Sequence, residues 1–439
     1  MYGDTETEQR PQREKNPKLL PIAWAVFLVL ALGVAAWWTL AQQATPVVRE
    51  RERIEAERKE ETEARERALS PAEREHLIFL RRRKAWIAKQ KADSPVRKAV
   101  EHMKNVDMRY PTVRDATMAA RCVDIEALSA IQKNGFTNWK APEIMLAACE
   151  TPFLVVVQTV HKFGGPVDAR DKDGRTALMY ACSTAKNLDI VKYLVSHGAD
   201  VNTKNNDGEA VLMLVAKVAG NLGAVKYLVG NGADVSAKDK DGKTVLMLAA
   251  GIADNVEMVR CLVSQEANVN AKDRGDKTVL MYACETAGNA ETVKYLVSQG
   301  ANINAREKIF GMTALIFACR AAGNAETVKY LVSQGADVNA KDKGGMTALM
   351  YACRFLGNAE TVKYLVSQGA DVNAKDEDGM TALMYACGAG NNEETVKYLV
   401  SQSADVNVKD NDGRSVLHYA TNRVYNYLRS QGARSGETD

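Results

Sequence analysis

The chain repeats itself at a fixed spacing. "GMTALMYACRFLGNAETVKYLVSQGADVNAKD" begins at Gly345, and "GMTALMYACGAGNNEETVKYLVSQSADVNVKD" begins at Gly379. Counted from the first residue of each helical stretch, the units fall at Thr176, Ala210, Thr244, Thr278, Thr313, Thr347, Thr381 and Ser415. Successive steps are 34 residues, except for one step of 35 between Thr278 and Thr313. A constant period of this size excludes a single closed core. It implies a solenoid, in which each unit shields the apolar face of the next.

The punctuation of the unit gives its local structure. Asp/Asn/Gly stretches such as Asp239-Lys240-Asp241-Gly242 read as tight turns. A Thr two residues after the Gly is placed to cap a helix. That first helix carries Leu349, Ala352 and Cys353 at helical spacing, and Gly357-Asn358 breaks it. A second helix follows with Val362, Leu365 and Val366, and Gly369 ends it in a left-handed pose.

On these residues the unit resembles the ankyrin repeat, from Asp171 to about Gly432. "EIMLAACETPFLVVVQTVHKFGGPVDARDKDG", with Leu146, Ala148, Cys149 and Gly164, reads as a weaker unit before it. "ATMAARCVDIEALSAIQKNGFTNWK" reads as a more degraded N-terminal cap. The resemblance implies an all-α stack of helix-turn-helix units joined by turns or hairpins. It also implies protein binding through turn tips and the exposed side of the first helices. The chain departs from the family pattern in three places. Ala or Val replaces the Pro after Thr, which loosens the first helical position. Met213, Met247, Met350 and Met384 replace the family's His, so a local polar tie is expected to be lost. One extra residue separates the two helices. Glu266 and Ser403 stand where other units have the helix-ending Gly, and local weak points are expected there.

Ahead of the repeats, Leu19–Ala41 carries no charge. As a helix these residues would span about 34 Å, against roughly 30 Å of hydrocarbon. Trp37 and Trp38 sit near one end, where interfacial indoles are favoured. A single-pass anchor is therefore expected, a cleaved signal peptide being the alternative. Arg10, Arg13, Lys15 and Lys18 precede the run, while Arg49 is the first basic residue after it. This order places the repeats on the non-cytoplasmic side. Residues 42–70 form a Glu/Arg-rich stalk with helix-favouring pairs such as Glu55–Lys59 and Glu61–Arg65. Linker helices are expected in 71–111, opened by Ser70-Pro71 and Ser94-Pro95 and docked on the first repeats. The full division is a polar tail (1–18), the span (19–41), the stalk (42–70) and the linkers (71–111). Two degenerate units (112–170), eight repeats with the last truncated (171–431) and a polar tail (432–439) complete it.

Composition limits the chemistry. The net charge of +3 does not point to nucleic acid, and the Arg81–Lys84 cluster reads as a solvated helix face. Six of the eight cysteines, Cys149, Cys182, Cys284, Cys319, Cys353 and Cys387, share one repeated slot. Equivalent positions in neighbouring units lie roughly 8–10 Å apart, beyond the ~7 Å limit for a disulfide. They read as buried free thiols, a state commoner in reducing compartments, which argues against the side that the charges favour. His76, His102, His161, His197 and His418 show no ligand spacing. "DGKT" at Asp241–Thr244 resembles the end of a phosphate loop, but Ala237 stands where that motif needs Gly. No cofactor, metal, small-molecule substrate or catalytic residue is expected, and the chain does not read as an enzyme.

The units differ most at the turn tip and at the end of the first helix. The 35-residue unit puts Ile309 and Phe310 in its turn, where neighbours have Lys, Asp or Gly. Arg320 ends its first helix, and Arg354-Phe355 ends the next one. Ile309, Phe310, Arg320, Arg354 and Phe355 are the expected heart of a protein-binding surface. The competing readings are a structural spacer with no tight ligand and a secreted soluble binder.

Overall fold

The structure is a computed structural model. It describes residues 70–435, apart from 91, 93, 107–110, 185–186, 219, 356–357 and 390–392. The N-terminal tail, the apolar run Leu19–Ala41 and the stalk up to residue 69 lie outside the described residues. Among the described residues, no helix is long and apolar enough to cross a membrane.

The chain divides into two compact units, Met1–Lys89 and Gln90–Asp439. The described part of the first is the helix Pro71–Ala88, which opens on its proline and exposes Ile78 and Leu80. The second begins with the helix Pro95–Met103. Ser94 caps it, its hydroxyl accepting the Arg97 N–H at 3.3 Å. This helix packs on the next, Val113–Arg121. His102 Nε2 lies 2.8 Å from Asp115 Oδ1, and Asp115 also accepts the Thr112 N–H and hydroxyl at 2.8 and 2.7 Å.

Ten helix pairs follow among the described residues. The first helices run Val113–Arg121, Pro142–Cys149, Ala177–Cys182, Val211–Ala216, Val245–Ala250, Val279–Glu285, Ala314–Arg320, Ala348–Arg354, Ala382–Gly388 and Val416–Tyr419. Their partners run Ile125–Lys133, Leu154–Lys162, Leu188–Ser196, Leu222–Gly230, Val256–Ser264, Ala290–Ser298, Ala325–Ser333, Ala359–Ser367, Glu393–Ser401 and Asn422–Ser430. Each first helix but the last packs on its own partner and on the first helix of the next pair. In the unit at Thr347 the core is Ala348, Leu349, Met350, Ala352 and Cys353, closed from behind by Thr361, Val362 and Leu365. Burying each Leu contributes about 1.5–3 kcal/mol before entropy is counted. Val366 is only half-buried, so the second helix turns a narrower stripe inward than its sequence suggests. The six cysteines of the shared slot are buried, and all eight cysteines are free.

Caps explain where the helices start. Thr347 Oγ1 accepts the Met350 N–H at 3.4 Å. Met350 returns the contact, its sulfur accepting the Thr347 N–H at 3.4 Å. Met179, Met247 and Met281 do the same in their units. At Met247 and Met350 the expected loss of a polar tie is thus corrected: a thioether, a weak but long acceptor, takes the role of the family's His. Met213 follows Ala210, which offers no side-chain cap, and Met384 makes no return bond among the described residues.

Among the described residues, six of the second helices are preceded by a buried Asn, and five of these, Asn187, Asn221, Asn289, Asn324 and Asn358, reach across units. Asn289 Nδ2 donates to Ala250 O at 2.7 Å and to Ala283 O at 3.2 Å, and Asn324 donates to Cys284 O at 2.9 Å. These amides satisfy carbonyls that the short first helices leave open. Glu266 and Ser403 adopt φ of +63° and +65°, the left-handed pose that Gly takes in the other units. The last unit keeps a nine-residue second helix, while its first helix shrinks to four residues. Its truncation therefore falls between the two helices.

A candidate protein-binding surface

Most of the turns are built from one carboxylate each, the amide of Asn205 taking its place in one unit. Asp342 Oδ1 accepts the N–H groups of Gly344 and Met346, both at 2.9 Å. Its Oδ2 accepts the Tyr351 hydroxyl at 2.8 Å. The same arrangement joins Asp171 to Tyr180, Asp273 to Tyr282, Asp376 to Tyr385 and Asp410 to Tyr419. Burial, then the hydrogen bond to Asp342, pushes the Tyr351 phenol up to about 12. Burial would raise the Asp171 carboxyl, but the bonds from the Arg175 and Asp173 N–H groups and the Tyr180 hydroxyl outweigh it and hold it low. The turn therefore stays ionised and rigid at neutral pH.

Adjacent turn tips are stitched together. The Glu377 N–H donates to Gly344 O at 2.9 Å, and the Lys343 N–H donates to Phe310 O at 2.7 Å. Approach is close enough that a Cβ on Gly345, at φ +77°, would lie 2.9 Å from Asp376 Cα. Only Gly fits there.

The 35-residue unit solves the same problem with a longer side chain. Its turn has one more residue, and Glu307 replaces Asp. Glu307 accepts the N–H groups of Ile309 and Phe310, each at 2.6 Å, and that of Met312 at 3.1 Å. Phe317 replaces Tyr, because the carboxylate is already occupied and no hydroxyl is needed. The one-residue excess lifts two side chains away from the stack. Ile309 is 64% exposed and Phe310 58%, the two most exposed large apolar side chains among the described residues. Ile309 leans over the preceding turn, with its Cδ1 3.5 Å from where a Cβ on Gly275 would sit.

The other expected site residues lie along the first helices. Arg320 and Arg354 are exposed, and Phe355 is 38% exposed. Arg320 folds back along its helix, with Nη1 3.7 Å from Met312 Sδ and the guanidinium 6.0 Å from the centre of the Phe317 ring. Arg354 lies 6.0 Å from the Tyr385 ring of the next unit. Both arginine charges act on Tyr351, which they flank.

Two features escaped the sequence reading. One is the Asp–Tyr pair, which recurs at a separation of nine residues. The other is a pairing between the residue after the left-handed turn residue (Gly208, Asp276) and the residue eight positions on. Glu209 pairs with Lys217 in this way, and Lys277 with Glu285 at 2.5 Å. In the units of Arg320 and Arg354, Met312 and Met346 hold the first position and no carboxylate answers. Both spacings were visible in the sequence as recurrent residue types, but neither matches the period of a helix or a strand.

Among the described residues, no group of three or more His, Cys, Asp or Glu gathers into a possible metal site. The fold and its surface define a helical solenoid that presents side chains on a rigid ridge. The profile described as ankyrin repeats (3 copies) matches residues 118–211, 212–307, 288–376 and 357–439, and the chain belongs to the ankyrin-repeat family. No curated protein matches it. Membership in this family points to a protein-interaction scaffold.

Proposed function

We propose that the protein is a membrane-tethered scaffold that captures a protein partner through Ile309, Phe310, Arg320, Arg354 and Phe355. The observation that carries this reading is the pair of adjacent apolar side chains, 64% and 58% exposed, on a turn whose backbone is held by three bonds to Glu307. Such a tip is pre-organised, so little entropy is lost when a partner covers it. The tether is assigned to Leu19–Ala41, with the repeats on the non-cytoplasmic side, from that run's lack of charge and the four basic residues before it.

The test compares the full-length chain with its Ile309→Ser/Phe310→Ser variant in membranes, using crosslinking and affinity capture. Burying the two side chains at an interface is worth about 3 kcal/mol, so capture should weaken roughly a hundredfold. Unchanged capture of every partner would leave a spacer as the better reading. Release of the wild-type chain from membranes by alkaline carbonate would remove the tether.

A further inference from the structure

The two arginines of this surface specify the chemistry of what it holds. Along the first helices, the position after the left-handed turn residue and the position eight residues on form a paired column. In two earlier units the column closes on itself, as Glu209–Lys217 and Lys277–Glu285. Each of those units is electrically finished and offers an incoming chain no net charge. In the next two units the pattern changes. Met312 and Met346 occupy the first position, and Arg320 and Arg354 the second. Among the described residues neither arginine forms an ion pair. Glu285, the preceding carboxylate of the column, is held by Lys277. Asp342 and Asp376 stand nearby, but their oxygens are taken by backbone N–H groups and by the hydroxyls of Tyr351 and Tyr385. Two exposed guanidiniums therefore flank Tyr351, with Met346 and Phe355 beside them as apolar surface.

We infer that this face receives an acidic segment of the partner, bound as a polyproline-II strand with carboxylates three residues apart and an apolar side chain next to them. This inference rests on the protein-binding reading above and names the partner's chemistry. Successive units stack at about 8–10 Å. A polyproline-II chain rises 3.1 Å per residue with three residues per turn, so its positions i and i+3 lie about 9 Å apart on one side. Each carboxylate can meet a guanidinium as a two-pronged acceptor. A nucleic acid is the less suitable occupant. A phosphate backbone needs a run of cations, and the column is neutralised on the N-terminal side of Arg320.

The experiment is fluorescence anisotropy with the full-length protein in detergent. The probe is a labelled peptide of repeated Glu-Pro-Phe triplets, and Gln-Pro-Phe and Lys-Pro-Phe peptides and a single-stranded DNA oligonucleotide are the comparators. The Glu peptide should bind about tenfold more tightly than the Gln peptide, and the Lys peptide should not bind. Arg320→Glu/Arg354→Glu should abolish that preference, and the milder Arg320→Gln/Arg354→Gln should reduce it. Lys192→Glu/Lys226→Glu, which makes the same charge change on exposed second-helix positions, should retain it. Equal binding of Glu and Gln peptides, no binding of the Glu peptide, or tighter binding of the oligonucleotide overturns the inference. If the Gln peptide binds equally well and Ile309→Ser/Phe310→Ser weakens both, the acidic specificity falls while the binding function stands.

Discussion

Glu307 is the residue on which the irregular turn depends, and its length is the testable quantity. Replacing it by Asp keeps the charge and removes one methylene. The shortened carboxylate cannot reach the N–H groups of Ile309, Phe310 and Met312 together, which Glu307 now holds at 2.6, 2.6 and 3.1 Å. A bond from an N–H to an ionised acceptor contributes about 1.5–3 kcal/mol, and two of the three would be lost. Water reaches the released N–H groups at this exposed tip, so the lower end of the range applies. Glu307→Asp should then cost about 3 kcal/mol. A second change should restore it. Deleting Ile309 in the Glu307→Asp background returns the turn to the length and the acid of its neighbours, and stability should recover by more than half of the loss. Urea unfolding followed by circular dichroism gives the midpoints. Amide exchange in the helix Ala314–Arg320 isolates the local effect, since repeat arrays need not unfold in one step. A cost below about 0.5 kcal/mol for the single change, or no recovery on deletion, would refute the matching of side-chain length to turn length.

Three further outcomes follow from the same structure. Glu266→Gly and Ser403→Gly relieve left-handed backbone at φ +63° and +65°, and each should stabilise by about 0.5–1 kcal/mol, with an unshifted urea midpoint counting against the strain. His161 Nδ1 lies 2.8 Å from the Tyr193 hydroxyl, and burial, then the charge of His197, holds its imidazole below the ordinary 6.5. The folded chain thus binds this proton less readily than the unfolded one. Stability should be full above pH 6.5, fall as the pH drops through the lowered folded value, and level off below it; the His161→Gln chain should lack that step in its melting temperature. Burial pushes the thiols of Cys149, Cys182, Cys284, Cys319 and Cys353 well above the ordinary cysteine range, whereas Cys261 is half-buried. A maleimide at neutral pH should therefore label Cys261 first in the native protein, and mass spectrometry showing equal labelling of the buried slot would contradict the packing.

The repeat, its helix pair, the Thr caps and the shared cysteine slot were all legible in the residues, because each depends on neighbours within about one helical turn or on the period itself. The tip residues Ile309 and Phe310 stood out for the same reason: one unit broke a pattern that seven others kept. The role of Met247 and Met350 was not legible, since a thioether accepting an N–H is a matter of geometry and not of residue class. Val366, placed by spacing on the buried stripe, came out half-buried because the neighbouring unit covers only part of that helix.

What the amino-acid order determined alone was a line of helix pairs with small, capped first helices and one irregular turn. Tertiary structure decided which polar atoms meet. Asn289 finds Ala250, Lys343 finds Phe310, and Arg320 finds no acid among the described residues, because stacking brings residues some 30 to 40 positions apart into contact. A side chain's spare hydrogen bond or unanswered charge is set by that neighbour. Periodicity places the neighbour in the stack but does not say which of its atoms are already taken.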